Sequence, residues 1–355
     1  MPVINQTIEE FLKLAFTIPV LDVRSPGEYN HAHFPGAISF PIFTDDERKE
    51  IGTTYKQQSR ERAIKTGLAY FGTNMVNMVE QAEEISSKNG GSKEFLVHCW
   101  RGGMRSSAVA WLLSLYGFNI TLLTGGYKAF RNWALQQFEQ EYKLNVLGGY
   151  TGSGKTYVLH ELQKQGKPVI DLEGLANHKG SAFGAIDMPA QPSQEMFENL
   201  LAVKLNEQKE HSTGEAIWVE DESQRIGRVN IPIGFWNQQR SSPLFFLNIE
   251  FEKRLQHIIF GYANGDKEQL ANSITRIGKK LGGLETKNAL TFLMENDFTA
   301  CFNILLQYYD KLYTKGLHSR ENLNDLLQTI PFYDVQPAAI ASQLLALTES
   351  KIPAR

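Results

Sequence analysis

The run Gly149-Tyr150-Thr151-Gly152-Ser153-Gly154-Lys155-Thr156 constrains the fold of this chain more than any other stretch. It fits G-x-x-x-x-G-K-[ST] in full, after the apolar run Leu144-Asn145-Val146-Leu147 and before the helical pattern Tyr157 to Leu162. A strand must pass into a helix through a loop whose glycines let backbone N–H groups wrap phosphate oxygens. Lys155 adds a point charge there, and Thr156 offers a hydroxyl to a magnesium ion. Further apolar runs follow at Pro168-Val169-Ile170-Asp171, Ala216 to Glu220 and Leu244 to Ile249. They read as buried parallel strands of an α/β domain, and from Lys253 onward the pattern is largely helical.

A phosphate loop of this kind works with acidic groups at the ends of neighbouring strands. Glu220-Asp221-Glu222 is the better candidate, with Asp171 and Glu173 as the other; either set suits magnesium or a substrate hydroxyl. Thr156 and Asp221 are the expected magnesium ligands. Arg225 and Arg228 follow the acidic cluster with a spacing that points both the same way on a helix turn. Arg276, Lys279, Lys280 and Lys287 form a later basic set, suited to a diphosphate or an RNA backbone, or simply to a solvated helix face.

The first half of the chain alternates in the same way. Strands are expected at Pro19 to Val23, Ala37 to Phe40, Phe95-Leu96-Val97 and Ile120 to Leu123, with a polar helical insertion over Asp45 to Lys88. A helix over Tyr127 to Tyr142 leads into the second domain, so the expected domains are 1–143 and 144–355. After the third strand comes His98-Cys99-Trp100-Arg101-Gly102-Gly103-Met104-Arg105-Ser106, a thiol in a glycine-bearing loop at a helix start. Backbone N–H groups and a guanidinium make an anion pocket there, and the same field favours a thiolate. Cys99 and Arg105 are the candidate catalytic pair, and Trp100 to Met104 form the anion loop. The spacing also satisfies HC-x5-R-[ST], the pattern of cysteine-dependent phosphatases, so sulfur-type transfer and phosphate ester hydrolysis both remain open at this point.

Composition narrows the classes. Cys99 and Cys301 are the only cysteines, which argues against a disulfide framework and for a reducing compartment; cytoplasm is the expectation. Cys301 lies in an amphipathic run and is expected to fill core. The N-terminal stretch carries Glu9, Glu10 and Lys13 among its apolar residues, unlike a signal peptide, and no membrane partner is expected. The net charge of −3 does not mark a general polyanion binder, so any nucleic-acid contact must come from a local patch.

Leu21-Asp22-Val23-Arg24-Ser25-Pro26-Gly27-Glu28-Tyr29 with His31 to Ile38 resembles the opening signature of rhodanese-like domains, and Thr124-Gly125-Gly126-Tyr127-Lys128-Ala129-Phe130 resembles their closing one. Two features depart from that family: the insertion, and a seven-residue span from Cys99 to Arg105 where sulfurtransferases have six. The wider loop suits a phosphate-sized anion. A rhodanese-like domain with CWRGGMRS ahead of a loop reading GGYTGSGKT resembles the tRNA 2-selenouridine synthase family. Further matches run through Asp171 to Gly184 and Val219 to Arg228.

That resemblance implies an α/β fold: an N-terminal rhodanese-like parallel-sheet domain, then a P-loop NTPase-like domain with a helical C-terminal region. It implies a transferase that replaces sulfur by selenium at a wobble 2-thiouridine in the anticodon arm of tRNA. The thio group is first S-geranylated from geranyl diphosphate and then displaced using selenophosphate; no tightly bound cofactor is expected. Gly149, Gly152, Ser153, Gly154, Lys155 and Thr156 would hold the diphosphate, supported by Asp171, Glu220, Asp221, Arg225 and Arg228. Cys99 and Arg105 would act in selenium delivery. Phe183, Phe235 and Trp236 are candidate walls for a geranyl tail, although core packing is the stronger expectation for them. The rival reading is a P-loop kinase or ATPase with a regulatory rhodanese-like or phosphatase-like domain.

Overall fold

A computed structural model describes residues 3–211, 214–262 and 265–349. The chain divides into two compact units, Met1–Gln136 and Gln137–Arg355, a few residues ahead of the boundary expected from sequence.

The first unit carries strands β1 (Ile4–Gln6), β2 (Val20–Asp22), β3 (Ile38–Ser39), β4 (Glu94–His98) and β5 (Asn119–Leu123). They form one sheet in the order β1-β5-β4-β2-β3, every neighbouring pair parallel. Val20 pairs with Leu96, and Leu96 with Thr121, so β4 is the middle strand. Cys99 follows it directly, at the carboxyl end of the sheet where open α/β sheets bind ligands. The strand β1 is missing from the sequence expectation. Ile4-Asn5-Gln6 has no apolar run to announce it, and it is a mostly exposed edge strand held by its pairing with β5.

The insertion between β3 and β4 forms two helices, Asp45–Gln57 and Arg60–Lys88. Thr44 and Glu47 close a capping box on the first, and Ser59 caps the second by accepting the Arg62 N–H. The long helix buries Ala63, Phe71, Met78, Ala82 and Ser86, residues seven to eight or four apart along one stripe. Phe71, Met78 and Ala82 join the core built from Leu21, Val23, Phe95, Val97, Val109 and Leu113.

The second unit contains β6 (Leu144–Gly149), β7 (Val169–Ile170), β8 (Ile217–Glu220), β9 (Arg225–Ile226), β10 (Val229–Asn230), β11 (Leu244–Ile249) and β12 (Leu327–Phe332). Its main sheet is parallel throughout, in the order β12-β11-β6-β8-β7. The strands β6, β8 and β11 are buried almost without interruption, as a sheet covered on both faces requires. The helix Lys155–Lys164 places Val158, Leu159 and Leu162 in one core with Trp218, Phe245, Leu247 and Ile330.

The C-terminal stretch is largely helical, as expected, with one strand, β12, added beside β11. Pro331 hides that strand in the sequence: proline removes a ladder donor, and the run lies at the sheet edge, where that loss is tolerated. One sequence expectation needs correction: Arg225 and Arg228 do not share a helix turn. They sit on the antiparallel hairpin β9–β10, turned at Gly227 with φ +59°, and both are exposed.

The helices Phe251–Tyr262, Lys267–Leu281, Gly283–Met294 and Phe298–His318 share a separate core with Phe183 and Ile186. Cys301 is fully buried in it, and burial pushes its thiol pKa up to about 11, as befits a core filler. Among the described residues no helix is long and apolar enough to cross a membrane.

Candidate functional site

The cysteine loop is shaped by backbone contacts with the Thr124–Phe130 segment. The Tyr127 N–H donates to the Cys99 carbonyl at 2.8 Å and the Lys128 N–H to the Trp100 carbonyl at 3.0 Å. Gly102 takes φ +64°, and a Cβ there would lie 2.8 Å from the Leu123 carbonyl oxygen, so only glycine fits. Within the loop the Gly103 N–H donates to Cys99 Sγ at 3.4 Å, and Ser106 Oγ lies 3.3 Å from the same sulfur. Burial opposes ionisation of this thiol. The Ser106 hydroxyl and the amides of Gly103, Ser106 and Arg101 outweigh it and bring the pKa below the usual thiol range.

Trp100, Arg101, Gly103 and Met104 are exposed around the buried sulfur, and Gly102 is half-buried. Arg105 turns toward the opening signature: its Nη1 donates to Glu28 Oε2 at 2.7 Å, with Arg48 Nε 3.6 Å from the same oxygen. Burial alone would raise the Glu28 pKa, but the Arg105 guanidinium outweighs it and holds the carboxyl low. Glu28, which the sequence marks only as part of a family signature, is therefore a member of the site. Beneath the loop, Arg24 is almost wholly buried, ion-paired to Asp22 at 2.6 Å and set 3.8 Å from the Tyr127 ring centroid. His98 is fully buried beside Asp22, and burial lowers its pKa so that it stays neutral.

In the second unit the phosphate loop leaves β6 at Gly149 and enters the helix at Lys155. Gly152 and Gly154 take φ +82° and +75°, and added Cβ atoms would lie 2.8 Å from Ile258 and 2.6 Å from Val335. The glycines are thus required by conformation and by packing. Lys155 Nζ folds back to donate to the Gly149 carbonyl at 2.9 Å, across the concavity a phosphate would fill. Ser153 is buried, with its hydroxyl making no hydrogen bond. Thr156 Oγ1 donates to Glu173 Oε2 at 2.8 Å.

The two acidic sets converge on one place but divide the work. Glu173 and Glu222 are hydrogen-bonded to each other. Burial raises both pKa values, with the Asp171 charge adding to it at Glu173 and the Glu173 charge at Glu222, while the nearby Lys155 pulls the other way. Glu220 is fully buried, accepts the Leu172 N–H at 3.0 Å and is raised by burial and by Asp171. Asp171 caps Gly174 and meets His160 Nε2 at 2.9 Å. Asp221 is otherwise engaged. Its Oδ2 accepts from the Tyr313 hydroxyl at 2.6 Å, and its Oδ1 takes a buried ion pair with Arg320 at 2.7 Å. The hard-oxygen pair that fits a magnesium ion beside phosphate is therefore Thr156 with Glu173, and Asp221 is a structural anchor.

Sequence reading missed that anchor and a second one. The Tyr313 hydroxyl accepts the Gly149 N–H at 3.1 Å, tying the helix Phe298–His318 to the loop. Arg254 pairs with Asp310 through both Nη atoms, at 2.9 and 2.7 Å, and donates from Nη1 to the Thr151 carbonyl at 3.0 Å. Nothing near the glycine motif signals residues this far along the chain. Arg225 donates from Nε to the Gly227 carbonyl at 2.9 Å and the Arg228 N–H to Gln191 Oε1 at 2.9 Å, so both belong to the exposed hairpin. Phe183 and Phe235 are buried core, and Trp236 is half-buried with Arg240 5.6 Å from its ring centroid, so packing accounts for all three.

Comparison with known proteins covers both units. The family model of the tRNA 2-selenouridine synthase AAA domain matches residues 142–326, and that of the rhodanese-like domain matches residues 7–132. A tRNA 2-selenouridine synthase of Shewanella denitrificans is 39% identical, over 74% of this chain and 70% of that one. One of Bdellovibrio bacteriovorus is 33% identical over 85% and 90%, and one of Nitrosomonas europaea 38% over 69% and 63%. With both units matched, in this order and along most of the chain, the protein belongs to the tRNA 2-selenouridine synthase family.

Proposed function

We propose that this chain is a tRNA-modifying transferase that replaces sulfur by selenium at a wobble 2-thiouridine, in two stages assigned to its two units. The observation that carries the reading is the presence, in one member of this family, of both an amide-lined thiol with a lowered pKa and a phosphate loop.

In the first stage the thiocarbonyl sulfur attacks C1 of geranyl diphosphate. A C–S bond forms, the C1–O bond breaks, diphosphate leaves and the N3 proton of the base passes to solvent. The loop N–H groups and Lys155 receive its charge, with the lysine exchanging the Gly149 carbonyl for phosphate oxygens. Thr156 and Glu173 would hold a magnesium ion, which would neutralise further diphosphate charge. In the second stage the selenium of selenophosphate displaces geranyl thiolate at C2, and hydrolysis of the P–Se bond releases phosphate. The Cys99 loop grips the phosphate group through its amides, and Arg105 exchanges Glu28 for the anion. The reaction takes place in the cytoplasm.

Binding of geranyl diphosphate and of ATP to wild-type protein and to Lys155→Ala tests the first stage. The proposal expects geranyl diphosphate to bind tightly, ATP weakly, and the variant to lose geranyl transfer. Unchanged prenylation by Lys155→Ala would sink it.

A further inference from the structure

The helix Lys267–Leu281 buries Leu270, Ser273, Ile274 and Ile277 and turns its other flank to solvent. That flank carries Asn272, Arg276, Lys279 and Lys280, all exposed, at spacings of three and four residues that align them along the helix. From Gln269 to Leu284 the chain contains no acidic residue. Among the described residues Arg276, Lys279, Lys280 and Lys287 take part in no ion pair, whereas Lys13, Lys88, Lys164 and Lys204 all have a carboxylate within one helical turn. A run of unpaired cations repels itself, so this flank gains from a polyanion that neutralises it.

Its placement is specific. The apolar side of the helix packs in one core with Phe183 and Ile186, which belong to the segment following Asn177. In that segment a Cβ on Gly180 would lie 2.8 Å from both Glu222 carboxyl oxygens and 2.9 Å from Glu173 Oε1, so its backbone lies directly on the carboxyl pair beside Thr156. Lys179 extends from it, with Nζ 5.5 Å from the Tyr262 ring centroid. Burial disfavours protonation of His178 in the same segment, and the Arg276 charge adds to that effect. The helix that carries the basic flank therefore packs against the segment that borders the phosphate-loop site.

We propose that Arg276, Lys279 and Lys280, continued by Lys287, form an RNA-backbone track that lays the strand beside the phosphate loop and presents a base to it. This rests on the reading of tRNA as the substrate. The contacts are to phosphate and carry no sequence information, so the track orients the strand while the site itself selects the base.

The test is binding of an unmodified tRNA transcript to the full-length protein over a range of KCl concentrations, for wild type and for R276Q/K279Q/K280Q, with R60Q/K65Q as a control of reduced charge elsewhere. Three lost phosphate contacts should weaken binding by about 10-fold or more at 0.1 M salt and reduce the slope of log K against log salt by about 2. The thermal midpoint of the triple variant should stay at the wild-type value, because all three side chains are exposed and unpaired. A folded triple variant with wild-type affinity and slope would overturn the track, as would a control variant that loses as much. The proposal is equally overturned if these side chains govern binding to anionic phospholipid vesicles and leave RNA binding unaffected. Failure of wild type itself to bind the transcript would overturn the reading of tRNA as substrate as well, so the two failures are distinguishable.

Discussion

Tyr313 donates its hydroxyl proton to Asp221 at 2.6 Å and so turns its acceptor side to the Gly149 N–H, making the start of the phosphate loop depend on a helix more than 160 residues downstream. Arg320 fixes the carboxylate in turn, from a fully buried position. Removing Arg320 leaves Asp221 as an uncompensated buried charge, so Arg320→Leu should cost about 3–5 kcal/mol in urea unfolding. Tyr313→Phe keeps the ring and strands the Gly149 N–H, which should cost about 1–3 kcal/mol. A wild-type unfolding midpoint in both variants would contradict the anchoring role.

Cys99 should ionise before an ordinary thiol. Followed by ultraviolet thiolate absorbance, the first inflection should fall below the free-cysteine value of about 8.5 and vanish in Cys99→Ser. Cys301, raised to about 11, should contribute only at high pH. Ser106→Ala removes one stabilising hydrogen bond and should move the first inflection upward. No movement would mean that the hydroxyl does not hold the thiolate.

The Glu173–Glu222 pair should make the second unit less stable as pH rises. Both carboxyls are raised above their unfolded values, so the stability they contribute is full below about pH 4 and is lost as pH climbs through the folded pKa values. Glu222→Gln removes one of the titrating partners. Its thermal midpoint should exceed that of wild type at neutral pH and fall less steeply between about pH 5 and 8. Parallel profiles for the two proteins would refute the shared-proton arrangement.

Gly102→Ala tests the shape of the cysteine loop. The left-handed backbone and the 2.8 Å approach to the Leu123 carbonyl oxygen should cost about 1–3 kcal/mol and raise the Cys99 pKa as the amides swing away. A fully stable variant with an unchanged thiol titration would show that the loop tolerates another geometry.

Both glycine loops, both parallel sheets and the helical insertion were legible because each rests on local pattern: an apolar run, a loop of small residues, a helical period. What escaped has physical reasons. The strand β1 is held by pairing and not by burial, and β12 carries Pro331 at an edge where its missing donor is harmless. The spacing of Arg225 and Arg228 fits a helix turn and a hairpin equally, and Gly227 decides for the hairpin. Asp221 looked like a metal ligand because its partners, Tyr313 and Arg320, reach it only through tertiary packing. The pairing of Arg105 with Glu28 joins residues 77 positions apart, which no local pattern announces.

The central claim is the division of labour between the thiol loop and the phosphate loop. Mass spectrometry of tRNA nucleosides tests it most directly, in cells whose only copy of the protein is Cys99→Ser or Lys155→Ala. The account predicts that Cys99→Ser accumulates S-geranyl-2-thiouridine without selenouridine, and that Lys155→Ala leaves 2-thiouridine unconverted. Normal selenouridine in the Cys99→Ser cells would contradict it.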